Sequence, residues 1–167
     1  MTQHDHPSTG GAAQDLPRAD HVAAWVEQRL HDSLGCSIAP ARLYALEVLD
    51  PAGFVERSVT AARLTFVAEA DDATALVLGA AAAEAVESGD GLVLAATRWE
   101  QALVPLPRPG GHPVRRRARV VTVVTDAGTA SALRFDHQPD EVVVARGLSI
   151  GGIAGVQLAA TWSARAG

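Results

Sequence analysis

Three consecutive stretches decide the fold: ADDATALVLGAAAAEAV (70–86), LVLAATRWEQALV (92–104) and VRRRARVVTVVTD (114–126). The first has a run of four alanines and lacks any alternation, so it reads as a helix over 71–88. Asp71 or Asp72 is placed to cap it and to meet the positive end of its dipole. Gly79 and the small side chains would let it lie close against a neighbour, and its apolar character over three turns predicts that it is buried. The second stretch is mostly apolar and the third is rich in valine and threonine, and the proline–glycine break PLPRPGGHP (105–113) separates them. They predict strands at 92–104 and 114–125, the latter turning at Asp126-Ala127-Gly128 into a further strand at 129–135.

Working outward, the N-terminal side predicts a helix over 21–34 with Asp20 as N-cap and Gly35 as its stop. Val22, Val26 and Leu30, widened by Trp25 and Leu34, form its apolar stripe. Glu27, Gln28, Arg29 and Asp32 then fall on its polar side. Strands are expected at 42–49 and 54–68, joined by the turn Asp50-Pro51-Ala52-Gly53, with the second strand long enough to bend. A short strand follows at 141–146. In the last segment Val156, Leu158, Ala160 and Trp162 alternate with Gln157, Ala159, Thr161 and Ser163, which predicts a closing strand after a glycine bend at Gly151, Gly152 and Gly155. The first seventeen residues, MTQHDHPSTGGAAQDLP, are small and polar. They predict a disordered tail over 1–17 followed by one domain over 18–167.

Composition removes several chemistries. All 14 basic residues besides histidine are arginine, and asparagine is absent, as expected of a GC-rich bacterial genome. There is no lysine for a Schiff base, a pyridoxal anchor or a nucleotide-binding loop, and no asparagine for N-glycosylation. A net charge of −5 argues against a nucleic-acid binder. The lone Cys36 fits a reducing compartment, and no apolar run reaches the length of a bilayer, so a cytoplasmic protein away from membranes is expected. No cofactor is implied.

The order helix, strands, small-residue helix and antiparallel run resembles the hot-dog fold, in which a sheet wraps a central helix. The resemblance rests on residues 69–135, above all the helix ADDATALVLGAAAAEAV, the following strand, the PLPRPGG break and the Arg/Val strand. It implies an α+β fold with an antiparallel sheet wrapped on the buried Ala-rich helix and an extra N-terminal helix. It also implies a homodimer and, in thioesterases and dehydratases of that superfamily, binding of acyl thioesters. Many members carry a histidine and glycines before the central helix, where this chain has Val67-Ala68-Glu69-Ala70.

Glu84 and Asp72 are the candidate catalytic acids, because the resemblance places a carboxylate at or within this helix. Glu69 and Asp71 lie nearby. Arg115, Arg117 and Arg119 project from one face of a strand and are the candidate anion or coenzyme-phosphate site. Thr2-Gln3-His4 would make a square-planar Cu(II) or Ni(II) site once Met1 is removed, with His4 as the imidazole ligand. His112 and His137 sit in loops. Gly147-Leu148-Ser149-Ile150-Gly151 fits the nucleophile-elbow spelling but is followed by the alternating segment. Three functions are expected to compete: a non-catalytic module binding a small ligand or a protein, an acyl-CoA thioesterase- or dehydratase-like enzyme, and a self-assembling structural subunit.

Overall fold

The computed structural model describes residues 16–35, 40–101 and 114–165. The chain is an α+β protein built on a six-stranded antiparallel sheet with helices on both faces. The strands are β1 (Ala41–Val48), β2 (Ala62–Ala70), β3 (Gly91–Gln101), β4 (Arg115–Thr125), β5 (Gly128–Phe135) and β6 (Val143–Arg146). They lie in the order β2-β1-β3-β4-β5-β6. The helices are α1 (Ala19–Leu34), the single turn α2 (Gly53–Glu56), α3 (Ala73–Leu78), α4 (Ala80–Val86) and α5 (Gly152–Ala164). Alternation along each strand divides the core. Tyr44, Leu46, Val93, Ala95, Val121 and Val123 meet α1. Leu43, Ala45, Leu92, Leu94 and Val124 meet α3, α4 and α5 on the opposite face. Among the described residues, no helix is long and apolar enough to cross a membrane.

The apolar stripe of α1 is buried as its periodicity requires, with Trp25 edge-on to Phe54 and its indole N–H donating to Ser58 O at 2.7 Å. The cap differs from expectation. Arg18 occupies the N-cap position, and Asp20, one residue inside the helix, accepts from Arg18 Nη2 at 2.6 Å and from Arg146 Nε at 2.9 Å. Asp20 therefore ties the start of α1 to β6. The Arg18 hydrogen bond, followed by that of Arg146, holds its carboxyl well below the ordinary carboxylate range. Because the folded-state value is depressed, the stabilisation is complete above the unfolded value of about 4 and is lost as pH falls below it. Both arginines are mostly exposed, so the contribution is at most about 1 kcal/mol. In urea titrations, Asp20→Asn should be less stable than wild type at pH 7, and the gap should narrow progressively as pH falls below about 4 toward pH 2. A gap constant across that range would disprove the linkage.

Three elements depart from the sequence reading. The expected strand 54–68 opens with α2 and a turn, and only Ala62–Ala70 pairs with β1. Arg57 is left-handed at the end of α2, at φ 58°, so the chain reverses before it can extend. The Ala-rich segment packs on the sheet, but as two short helices. Gly79 is extended, at φ −81° and ψ 166°, and separates α3 from α4. Leu76, Val77, Ala82, Ala85 and Val86 are buried while Leu78 points outward, so the segment is a half-covered layer. The C-terminal segment is a helix. Gly155, Leu158 and Trp162 are its buried residues, spaced three and four apart, while Val156 and Ala160 are exposed. The indole of Trp162 donates to Asp126 Oδ1 at 3.1 Å, and Arg165 both stacks on that ring and pairs with Asp126, fixing α5 against the β4–β5 turn.

The largest correction is Glu27. The helical wheel assigns it to the polar side of α1, yet its side chain has no exposed surface. Arg119 and Arg134 stand directly opposite each other on β4 and β5, a like-charge pair that would repel on a bare sheet. Glu27 descends between them. Oε1 accepts from Arg119 Nη2 at 2.6 Å, and Oε2 accepts from Arg134 Nε at 2.7 Å. Arg119 also donates to Gly35 O at 2.9 Å and Arg134 to Gln28 Oε1 at 2.9 Å, so the buried charges are paired as well as hydrogen-bonded. This triad fixes where α1 sits on the sheet.

Candidate functional site

On the face opposite α1, the sheet and the start of α5 enclose a cleft of about 540 Å3. Leu94 and Ala96 of β3, Val120 of β4 and Ala154 of α5 supply apolar walls, and Arg98, Thr122 and Asp71 supply the polar groups. The sequence builds this locally. Even-numbered residues of β3 and β4 point to this face, and Gly151 and Gly152 remove side chains where α5 meets the strands. A Cβ on Gly152 would fall 2.7 Å from Arg98 Nη1, and Gly152 is left-handed at φ 64°, so the position favours glycine. A Cβ on Gly151 would lie 3.2 Å from Thr122 Oγ1. Arg98 is held in place from two sides, donating to Ile150 O and pairing with Glu100. The Thr122 hydroxyl shares a 2.9 Å hydrogen bond with Ser131, its cross-strand neighbour. The result is a positioned guanidinium and a buried hydroxyl on an apolar floor, in a volume suited to a small molecule. Two further hollows flank α1. One of about 540 Å3 lies beside Trp25, Phe54 and Asp140, and one of about 460 Å3 beside Leu30, Tyr44 and Leu64. The first cleft is set apart by the anchored arginine at its wall.

The candidates read from the sequence do not converge there. Glu84 is exposed on α4. Asp72 is exposed and serves as N-cap of α3, accepting from Thr74 N at 2.9 Å. Asp71, one residue earlier, lines the cleft. Glu69 pairs with Arg42 at 3.2 Å. Arg115, Arg117 and Arg119 do share a face, the one occupied by α1, and so point away from the cleft. Arg119 is committed to Glu27, whereas Arg115 is exposed and Arg117 lies over the ring of Trp99 at 5.8 Å. His137 is exposed beside Phe135 and Asp136. Ser149 does sit on a strand–turn–helix between β6 and α5, but it is exposed, and among the described residues no hydrogen bond joins it to a histidine. His4, Cys36 and His112 lie outside the described residues. Among those described, no group of three or more His, Cys, Asp or Glu is arranged to hold a metal.

Sequence reasoning passed over Arg98, Thr122 and Trp99. Arg98 and Trp99 interrupt an otherwise apolar strand, LVLAATRW, and that interruption was the available signal. No known protein family, curated protein or solved structure matches the chain.

Proposed function

We propose that the protein is a non-catalytic module that binds a small carboxylate with an apolar body in the cleft beside Arg98. The observation that carries this reading is the guanidinium of Arg98, anchored by Ile150 O and Glu100 at the wall of an otherwise apolar cavity. With Nε facing Glu100 and Nη2 on Ile150 O, Nη1 of this fixed guanidinium is left to meet a ligand carboxylate at little cost in side-chain entropy. Leu94, Ala96, Val120 and Ala154 would cover an aliphatic or small aromatic body, and the Thr122 hydroxyl supplies one further polar contact. Asp71 on the lining disfavours a polyanion, so a single carboxylate fits better than the phosphates of a coenzyme. Glu84 and Asp72 are both exposed and neither lines the cleft, which supports binding over turnover. The antiparallel sheet with its Ala-rich helices is compatible with a hot-dog-like relationship, and the free edge of β2 would suit pairing of two copies.

A thermal-shift series of aliphatic and aromatic monocarboxylates tests the reading. A ligand present at a hundred times its Kd adds about 2.7 kcal/mol, which is about 5–10 °C in Tm for a domain of this size. The shift should be absent in Arg98→Ala and in Ala154→Phe, which fills the cleft. Absence of a shift with every carboxylate tested, or an undiminished shift in both variants, would refute the proposal.

A further inference from the structure

The β3–β4 pair outruns the sheet. β3 pairs with β1 only as far as Ala95 opposite Arg42, and β4 pairs with β5 only from Ala118 opposite Phe135. The two strands nevertheless stay paired with each other out to Gln101 opposite Arg115. Arg98–Gln101 and Arg115–Arg117 therefore stand as a two-stranded ribbon beyond the six-stranded sheet. On the α1 side of the ribbon nothing described covers it. The helix ends at Leu34, and Gly35 O already closes onto Arg119, the last arginine under its cover.

That open face presents Trp99 at 61 % exposure, with Arg117 directly across from it and Arg115 across from Gln101. A tryptophan can bury on the order of 150–250 Å2, so leaving it uncovered forgoes a large favourable term. The Arg117 guanidinium lies over its ring, 5.8 Å from the centroid. The ribbon carries four arginines against one glutamate in a chain whose net charge is −5. Among the described residues Glu100 pairs with Arg98 on the other face, and no carboxylate pairs with Arg115, Arg116 or Arg117. Exposed Trp flanked by Arg is the composition of an interface centre. A projecting ribbon is convex, which suits a macromolecular partner better than a small ligand.

We propose that this face is a docking surface for an acidic, extended segment of another protein, with an apolar side chain laid on Trp99 and carboxylates on Arg115 and Arg117. A single exposed aromatic favours a protein segment over a nucleic acid, which would want stacking positions in series. The surface is on the opposite side of the sheet from the Arg98 cleft, so it stands or falls independently of that site.

Fluorescence anisotropy with a library of labelled nonapeptides tests it, each carrying four glutamates and one central Leu, Phe or Tyr, beside matched peptides with glutamine for glutamate. The acidic set should bind at 50 mM salt and weaken strongly at 200 mM. Binding should fall at least tenfold in Trp99→Ala and in the double variant Arg115→Gln/Arg117→Gln, and stay unchanged in Arg63→Gln, an exposed arginine on β2. Circular dichroism and Tm matching wild type would show that the ribbon variants fold. Equal binding of the glutamine peptides, undiminished binding in both ribbon variants, or no binding across the library would overturn the proposal. So would tighter binding of a 20-nucleotide single strand at the same salt, which would assign the ribbon to nucleic acid.

Discussion

Replacing Glu27 by alanine should cost about 3–5 kcal/mol, the largest loss expected of any single change outside the apolar core. The reason is what remains. Arg119 and Arg134 are 10 % and 5 % exposed, they face each other across adjacent strands, and among the described residues Glu27 is the carboxylate paired with both. Its removal leaves two guanidiniums that can neither reach bulk water nor neutralise, since arginine does not lose its proton in proteins. Set against a typical domain stability of about 5–15 kcal/mol, the loss brings the chain close to unfolding. In urea, with a slope of about 2 kcal/mol/M, the midpoint should fall by roughly 2 M. Glu27→Gln should fall in between, because the amide oxygen still accepts while its NH2 group confronts an arginine. The triple variant Glu27→Leu/Arg119→Met/Arg134→Met separates pairing from packing. It should recover most of the loss, because well-packed apolar groups often equal or better a buried ion cluster. A midpoint change below about 0.3 M in Glu27→Ala would show the triad to be wet and energetically idle.

The same triad explains why part of the fold could be read from the sequence and part could not. β1, β3, β4 and β5 fall within a few residues of the ranges that alternation and turn chemistry predict, because each pairs in long register and has glycine or proline at its ends. The stripe of α1 was legible for the same reason of period. Glu27 was not, since a glutamate beside Gln28 and Arg29 has nothing in its own neighbourhood to mark it as buried. Its partners lie 92 and 107 residues away. The candidate site suffered likewise. Arg115 and Arg117 were visible as a cluster, but Trp99 meets them only through the β3–β4 register. Arg98 acquires its meaning only from Ile150, 52 residues on. Gly79 could have been taken as a break in the Ala-rich segment, yet a lone glycine inside a run of helix formers is tolerated often enough that propensity alone favours one continuous helix.

Leu158→Ala is expected to cost about 2–5 kcal/mol, and the change bears directly on the C-terminal segment. Leu158 has no exposed surface and packs among Leu92, Leu94, Val124 and Trp162. Truncating it leaves a cavity between α5 and the sheet that neither the strands nor a helix anchored through Trp162 and Asp126 can easily close. Two periods compete in this segment. A strand would bury Val156, Leu158, Ala160 and Trp162 together, so Val156→Asp would then be as damaging as Leu158→Ala. The helix buries Gly155, Leu158 and Trp162 and leaves Val156 at 51 % exposure and Ile153 at 75 %. Val156→Asp and Ile153→Asp should accordingly change stability by no more than about 0.5 kcal/mol. The alanines at 154, 159, 160 and 164 suit either period, which is why a pattern of four apolar residues at even positions outweighed the helical one. Urea denaturation of the three variants decides between them. A large loss in Leu158→Ala with Val156→Asp near wild type requires the helix, whereas comparable losses in both would mean that α5 is not the structure this segment adopts. The outcome also reaches the cleft, because Gly151 and Ala154 form its wall only if the chain turns into a helix at that point. A strand there would leave Arg98 without Ile150 O to hold it, and the cavity would lose the one fixed charge on which carboxylate binding depends.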